Sequence, residues 1–195
     1  SDCVMDTSIY NGGFSIADLK WIGSSDFADT LVPIPQDKIT LTALKNITVD
    51  DNEDTISSEG TITSWNMYGG SSEMKIEPSS TSSSTARGFT FKILTDDKTA
   101  RIGLTRLNYE SDWNYNDVEH ALQFSPNEKL MIYEAHVSKG LVGGYKVGDV
   151  FQIRLNTENK VEYMRNNTLL YTSTGILSSD CVMDTSIYNG GFSIA

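Results

Sequence analysis

The amino-acid sequence predicts an all-β protein in which two antiparallel sheets pack as a sandwich. Apolar and polar residues alternate in many short segments, as in Phe89, Phe91 and Ile93 with Thr90 and Lys92 between them. Side chains on a strand alternate between its two faces, so this period of two is typical of half-buried strands. No stretch of about 12 residues shows the apolar spacing of a helix. Turn residues separate the segments at short intervals, which favours a sandwich.

The first half of the chain contains three segments of this kind before the Phe89 strand. Ile39–Thr42 alternates, and Thr61–Trp65 follows a glycine. The run from Ser71 to Ser84 is rich in serine and threonine, and its only apolar side chains are Met74 and Ile76. We therefore expect a strand followed by an exposed loop there.

The second half is a succession of strands and turns. One strand is predicted where Val118, His120, Leu122 and Phe124 share a face, and the next where Met131, Tyr133, Ala135 and Val137 do so. A third carries Phe151, Ile153 and Leu155 inward. A hairpin is then predicted from Val161 through Asn166-Asn167 to Tyr171, because asparagine accepts the positive φ of tight turns.

The most informative feature of the sequence is an identical repeat at its two ends. Ser1–Ala17 recurs without any change as Ser179–Ala195, at an offset of 178. The offset indicates a parent protein with near-identical repeats of whole domains, although a designed addition of one segment remains an alternative. Within each copy, a strand-like run precedes Asn-Gly-Gly and a second short apolar run follows. The segment is predicted to form a hairpin-like strand pair, or one strand with a bend.

The stretch from Ile102 to Tyr171 resembles the later half of a concanavalin A-like jelly roll, as in lectin, laminin-G and SPRY-type modules. The resemblance lies in the Gly148-Asp149 turn before a strand and in the hairpin that turns at Asn166-Asn167. Asn167 stands where glycine is usual, but asparagine tolerates the left-handed conformation. The resemblance implies that the domain spans residues 18–195, with its last strand in 179–195. Residues 1–17 would then be a boundary strand of the preceding repeat.

Charge and motif content exclude several classes of function. The net charge is −11, with basic residues scattered along the chain, so nucleic acid is not an expected partner. Membrane insertion is not expected either, since no apolar run approaches the roughly 20 residues of a spanning helix. Catalysis is not expected, because the chain lacks the Glu-x-Asp-x-x-Glu pattern of glycosidases on this fold and any Gly-x-Ser-x-Gly.

Four aromatic residues flank loops rich in asparagine, glycine and serine, namely Trp65, Tyr68, Trp113 and Tyr115. Aromatic rings beside amides can stack on sugar rings and bind hydroxyl groups. They can equally cover the end of a sandwich core. These residues are the candidates for carbohydrate binding, although core or interface packing is the favoured interpretation.

An oxygen-rich loop offers a second candidate site. Asp50, Asp51, Asn52 and Asp54 could supply the oxygen ligands of a calcium ion, although the loop lacks the glycine and terminal glutamate of an EF-hand. A solvated acidic turn is the favoured interpretation of this loop. Calcium is the only cofactor that the sequence suggests.

Modification and thiol chemistry complete the candidate sites. Asn46 and Asn166 begin Asn-x-Thr sequons, which permit glycosylation in a secreted eukaryotic protein. Cys3 and Cys181 are the same residue of the two copies. In an oxidising compartment each could pair with a thiol on a neighbouring strand or chain, or each could be a small buried apolar residue.

These observations favour a structural or adhesive repeat of a large extracellular surface or filament protein. Its expected partners are neighbouring repeats or protomers, arranged head to tail through the boundary strand. A lectin-like module that binds glycans is the alternative hypothesis.

Overall fold

The computed structural model describes residues 21–23, 39–50, 55–78, 86–106 and 114–195. These residues form strands and turns without any helix, so the all-β prediction is confirmed. No helix in this described part could cross a membrane. The strands are β1 (Trp21–Gly23), β2 (Leu41–Lys45), β3 (Ile47–Val49), β4 (Ile56–Ser58), β5 (Thr63–Ile76), β6 (Ala86–Lys92), β7 (Ala100–Arg106), β8 (His120–Ser125), β9 (Lys129–Glu134), β10 (Val137–Gly143), β11 (Val150–Leu155), β12 (Lys160–Arg165), β13 (Thr168–Ile176), β14 (Cys181–Asn189) and β15 (Ser193–Ile194).

The hydrogen-bonded strands form two layers. The first layer runs β10-β9-β8-β7-β14-β5-β2, and the second runs β1-β6-β11-β12-β13. The pairing is antiparallel, except that β5 and β6 meet in parallel at the single pair Ile76 and Ala86. That pair joins the two layers, and the short β15-β4-β3 sheet lies beside them.

The core lies between the layers and is dominated by aromatic rings. Phe124 on β8 packs edge-to-face on Phe151 of β11, with the ring centroids 5.0 Å apart. Phe91 of β6 meets the same two rings at 5.9 and 5.8 Å. All three side chains are fully buried. Edge-to-face and offset pairs add about 0.5–1.5 kcal/mol each beyond burial of area, so this group is a main tie between the layers.

The second copy of the repeated segment provides β14, which is central in the first layer. It pairs with β7 from Cys181 to Ile187 on one side and with β5 on the other. Residues 181–187 are all buried. After the turn at Gly190-Gly191, β15 pairs with β4 in the other sheet. The segment is therefore a strand with a bend that crosses between sheets, and the hairpin alternative does not apply. The first copy lies outside the described residues.

Most of the predicted strand faces are confirmed, with one correction. Leu122 and Phe124, like Phe151 and Ile153, point into the core. The prediction that Met131, Tyr133, Ala135 and Val137 share one strand face was wrong. Leu130 and Ile132 are the buried residues of β9, whose strand ends at Glu134. Ala135 and His136 have positive φ and form a two-residue turn into β10, which alternation alone did not reveal.

The Asn166-Asn167 turn is confirmed. Both residues have positive φ, 48° and 63°, between β12 and β13. The Asn166 amide also holds the neighbouring turn, because its Oδ1 accepts the Val150 N–H at 2.9 Å and its Nδ2 donates to Asp149 Oδ1 at 2.8 Å. The two features on which the resemblance rested are thus in direct contact.

Candidate functional site

The outer face of the first layer carries a buried arginine surrounded by aromatic rings. Arg101 lies on β7, and its side chain points to the outer face because strand alternation sends its neighbours Ala100 and Ile102 into the core. It is nevertheless only 5% exposed. Its Nε donates to Gln123 Oε1 at 2.7 Å, and its Nη1 donates to the Tyr115 carbonyl oxygen at 3.0 Å. Both acceptors are therefore fixed by one side chain.

Three rings surround the guanidinium group of Arg101. Its Cζ lies 3.8 Å from the ring centroid of Tyr133, 4.8 Å from that of Tyr115 and 5.6 Å from that of Trp65. Attraction of this kind is worth about 2 kcal/mol when the cation is desolvated. Burial lowers the pKa of Arg101, while its interactions with Tyr133 and Tyr115 act in the opposite direction. The group stays charged at any physiological pH.

Trp65 is the central ring of this aromatic–arginine cluster. It stacks on Tyr115 with centroids 4.8 Å apart and contacts Tyr188 at 5.2 Å. The Tyr115 N–H donates to Asn66 Oδ1 at 3.2 Å, which ties the loop before β8 to β5. Trp65, Tyr115, Tyr133 and Tyr188 are each partly exposed. The cluster therefore presents pre-positioned ring faces with amides beside them, an arrangement that can stack on a sugar ring or a planar side chain.

The cluster contains two of the four aromatic residues that the sequence suggested. Trp65 and Tyr115 are brought together, and Trp113 lies outside the described residues. Tyr68 does not belong to this surface: its side chain is 1% exposed in the core, where its hydroxyl oxygen accepts the Ile62 N–H at 3.1 Å. Regular alternation along the strand does not explain this difference, because Asn66 has a positive φ of 65° and the register of β5 with β14 shifts between Thr63 and Tyr68.

Sequence reasoning missed Arg101, Tyr133 and Tyr188 as members of the cluster. Their strands β7, β9 and β14 are far apart in the chain and become neighbours only through sheet pairing. A local signal existed for Arg101 alone, since a charged residue inside an apolar strand needs a partner when it is buried.

A second polar cluster lies between the layers. The buried carboxylate of Glu134 is 3.7 Å from both His120 Nδ1 and Lys139 Nζ. The Tyr171 hydroxyl donates to Glu134 Oε2 at 3.5 Å. The Tyr163 hydroxyl lies 3.4 Å from His120 Nδ1, and burial raises the pKa of Tyr163 well above the ordinary value. The cluster connects β8 and β9 of the first layer to β12 and β13 of the second.

The suggested calcium loop is described only at its start. Asp50 is exposed, and its backbone N–H donates to the Thr55 carbonyl at 3.1 Å. Asp51, Asn52 and Asp54 lie outside the described residues. Among the residues that are described, no group of three or more His, Cys, Asp or Glu side chains could hold a metal ion. Calcium binding by this loop stays a prediction.

Both sequon asparagines are exposed and sit in turns with positive φ. The Asn46 amide nitrogen donates to the Met67 carbonyl at 2.8 Å, and that of Asn166 donates to Asp149 as described above. A glycan on either nitrogen would compete with that hydrogen bond. Glycosylation stays a prediction.

Cys181 is 1% exposed in the core at the start of β14. Burial, and secondarily the nearby Glu119, raises the pKa of its thiol to about 12. Because the thiolate is the reactive form, Cys181 is inert while β14 occupies this position. Pairing with another strand or chain would require β14 to leave it. Cys3 lies outside the described residues.

The position of β14 forms a second candidate site, the strand slot between β5 and β7. Side chains as well as backbone hold the strand there. The Met183 N–H donates to Ser72 Oγ at 3.0 Å, and Thr185 Oγ1 donates to the Gly70 carbonyl at 3.0 Å. At the far end, Asn189 Oδ1 accepts the Thr99 N–H at 2.8 Å. The slot therefore recognises a particular sequence.

The fold of this chain is that of SPRY domains, a concanavalin A-like β-sandwich. The solved SPRY domain of human HERC1 superimposes with a TM-score of 0.58 at 11% identity, over 80% of this chain and 95% of that one. A further human SPRY domain gives 0.58 at 15% identity, over 77% and 94%. The PSpry domain of TRIM65 gives 0.57 at 9% identity, over 84% and 98%. No protein-family model matches the chain, and no curated protein matches it. At these identities the likeness defines the fold and confirms the predicted jelly-roll architecture.

Proposed function

We propose that this chain is a non-catalytic unit of a large extracellular surface or filament protein, built from tandem sandwiches that contact one another head to tail. The observation that carries the proposal is the identity of the repeated segment. The segment that recurs at an offset of 178 is the one that supplies the central strand β14 and the crossing strand β15. Each sandwich needs one such segment to supply these strands. In a tandem array the segment would therefore recur once per sandwich.

The spacing of the strands supports close contact between successive units. Only three residues separate Ala17, the last residue of the segment, from Trp21 of β1, so the link from one unit to the next is short. Such links reach at most about 3.3–3.6 Å per residue. Successive sandwiches in the array would lie against each other rather than move as beads on a flexible linker, and such a contact between unlike faces produces an open filament.

Deletion of residues 1–17 tests the assembly. We expect the full chain to form oligomers whose size rises with concentration, because a strand with unpaired N–H and C=O groups is a template for another chain. The shortened chain should remain folded, since residues 179–195 fill its slot, and should be monomeric by sedimentation velocity. Oligomers of unchanged size and strength after the deletion would contradict the role of the boundary strand.

The alternative is a lectin-like module that binds glycans through the aromatic–arginine cluster. The stacked and partly exposed pair of Trp65 and Tyr115 is the observation that favours it. Binding of a mono- or oligosaccharide through ring stacking should fall about fivefold or more in Trp65→Ala, because one stacked aromatic contributes about 1 kcal/mol or more.

A glycan array followed by titration calorimetry is the measurement. Ile176→Ala is the matched control, because Ile176 is an exposed apolar residue on β13 of the second layer, whereas the cluster lies on the first layer. Equal affinity of Trp65→Ala, Ile176→Ala and the unaltered chain for every bound glycan would exclude this site.

A further inference from the structure

We propose that the strand slot between β5 and β7 accepts Ser1–Ala17 of the same chain in place of Ser179–Ala195. The sandwich would then have two alternative closed forms, one closed by its last strand and one closed by its first. The inference goes beyond the proposed tandem array and does not depend on it, since it concerns which segment of this single chain fills its own slot.

The chemical basis is that the two copies of the segment present identical side chains to the slot. Every side chain that β14 uses to hold its place has an identical counterpart in the first copy. Met183, Thr185 and Asn189, which bond to Ser72, Gly70 and Thr99, correspond to Met5, Thr7 and Asn11. Phe192, fully buried with its N–H donated to Ser58 Oγ at 3.0 Å, corresponds to Phe14.

The geometric basis is the edge of β6, where the two ends of the described chain meet. Ala195 and Lys92 exchange both backbone hydrogen bonds, so Ala195 lies beside Lys92 on this edge. Trp21 of β1 pairs with Phe89, three residues back along β6, in the same antiparallel sense. The next residue, Ile93, makes its backbone hydrogen bonds to Asp149 and Gly148, which lie on the opposite, β11 edge of the strand. The C-terminal residues and β1 thus follow one another along one edge.

Substituting the first copy for the second makes this edge continuous. Ala17 would take the place of Ala195 beside Lys92, and the chain would reach Trp21 beside Phe89 through three residues, 18–20. In perfect antiparallel register residue 20 would face Phe89, so the observed pairing of Trp21 leaves one extra residue. A β-bulge inserts one extra residue of this kind into one strand of an antiparallel pair. The first copy therefore reaches the slot of its own sandwich without a strained connection.

The two cysteines report which copy is in the slot. The thiol of the copy that occupies the slot is buried in the way that Cys181 is, and this burial suppresses its reactivity. The thiol of the other copy lacks that protection. Alkylation at neutral pH should therefore modify about one thiol per native chain and two per unfolded chain, and peptide mass spectrometry assigns each to Cys3 or Cys181.

The test uses full-length chains in which proline disables one copy at a time. Met183→Pro removes the N–H that bonds Ser72 and places proline in a central strand, which β14 does not tolerate. Met5→Pro is the matched change in the other copy, and the double variant disables both. We expect Met183→Pro to keep a cooperative thermal transition as a monomer, with Cys3 protected and Cys181 alkylated. Met5→Pro should give the reverse labelling, and the double variant should show no transition.

Two results would overturn the proposal. If Met183→Pro lacked a cooperative transition in the same way as the double variant, the slot would accept only the last strand. If it folded only as an oligomer, the occupant would be the first copy of another molecule. The first result does not bear on the array, and the second would support contact between molecules through residues 1–17. The deletion of residues 1–17 tests the array separately.

Discussion

Replacement of Gly103 by alanine is expected to lower the stability of the fold sharply. Gly103 lies on β7 between Ala121 of β8 and Asp184 of β14. A Cβ atom at this position would lie 2.0 Å from the His120 carbonyl oxygen and 2.8 Å from the Ala121 Cα. Both are backbone atoms of a paired strand, which no rotamer change can move. We expect a loss of roughly 3 kcal/mol or more, at the upper end of what overpacking costs.

Chemical denaturation followed by intrinsic fluorescence measures this loss, with Gly175→Ala as the matched control. Gly175 also lies within a strand, β13, but a Cβ there meets nothing within 4 Å and its φ is not left-handed. Alanine should stabilise that position by up to about 1 kcal/mol, because glycine is the more flexible residue in the unfolded chain. A loss below about 1 kcal/mol in Gly103→Ala, far less than overpacking against backbone costs, would mean that β7 and β8 are not paired in this register.

Replacement of Arg101 by methionine is expected to have the second largest effect. Methionine keeps most of the apolar stem but removes the charge over Tyr133, Tyr115 and Trp65. It also leaves the Gln123 Oε1 and Tyr115 carbonyl acceptors without their donor. Loss of a desolvated cation–π contact and of charge-assisted hydrogen bonds amounts to about 2–4 kcal/mol. In a protein of this size Tm should fall by about 5–15 °C.

Arg106→Met on the same strand is the control for Arg101→Met. Arg106 pairs with Glu119 at 2.9 Å, but its side chain is 52% exposed. An exposed ion pair contributes about 0–1 kcal/mol, so this variant should melt within a few degrees of the unaltered protein. Arg101→Lys should fall between the two, because lysine keeps the charge without the planar fork. Equal Tm values for Arg101→Met and Arg106→Met would show that the cluster does not stabilise the fold.

Several features of the fold could be predicted from local sequence because they depend on local physics. The inward faces of Phe151 and Ile153, and of Leu122 and Phe124, follow from the period of two along a strand. The turn at Asn166-Asn167 follows from the tolerance of asparagine for positive φ. Where the local signal was ambiguous the prediction was wrong, since Ala135 and His136 carry no residue type that marks a turn.

Some properties of the repeated segment could be predicted from the sequence, and others depend on the tertiary structure. Its strand, turn and second short strand were readable in the sequence, and the identity of its two copies needed no structure to be seen. That β14 is a central strand and that β15 crosses to another sheet are consequences of its partners β5, β7 and β4. Pairing between strands that lie far apart in the chain depends on the summed complementarity of the whole sheet, which no local window contains.

Residue types and their local order by themselves determined that this is an all-β protein, where most strands and turns lie and that one segment occurs twice. Tertiary structure alone decided which aromatic residues share a surface. It placed Tyr68 on the opposite face of β5 from Trp65 and brought Arg101, Tyr133 and Tyr188 to Trp65 from three other strands. The physical reason is that burial and ring contacts are set by which strands become neighbours, and a charge such as that of Arg101 is stable in the interior only where those neighbours supply its partners.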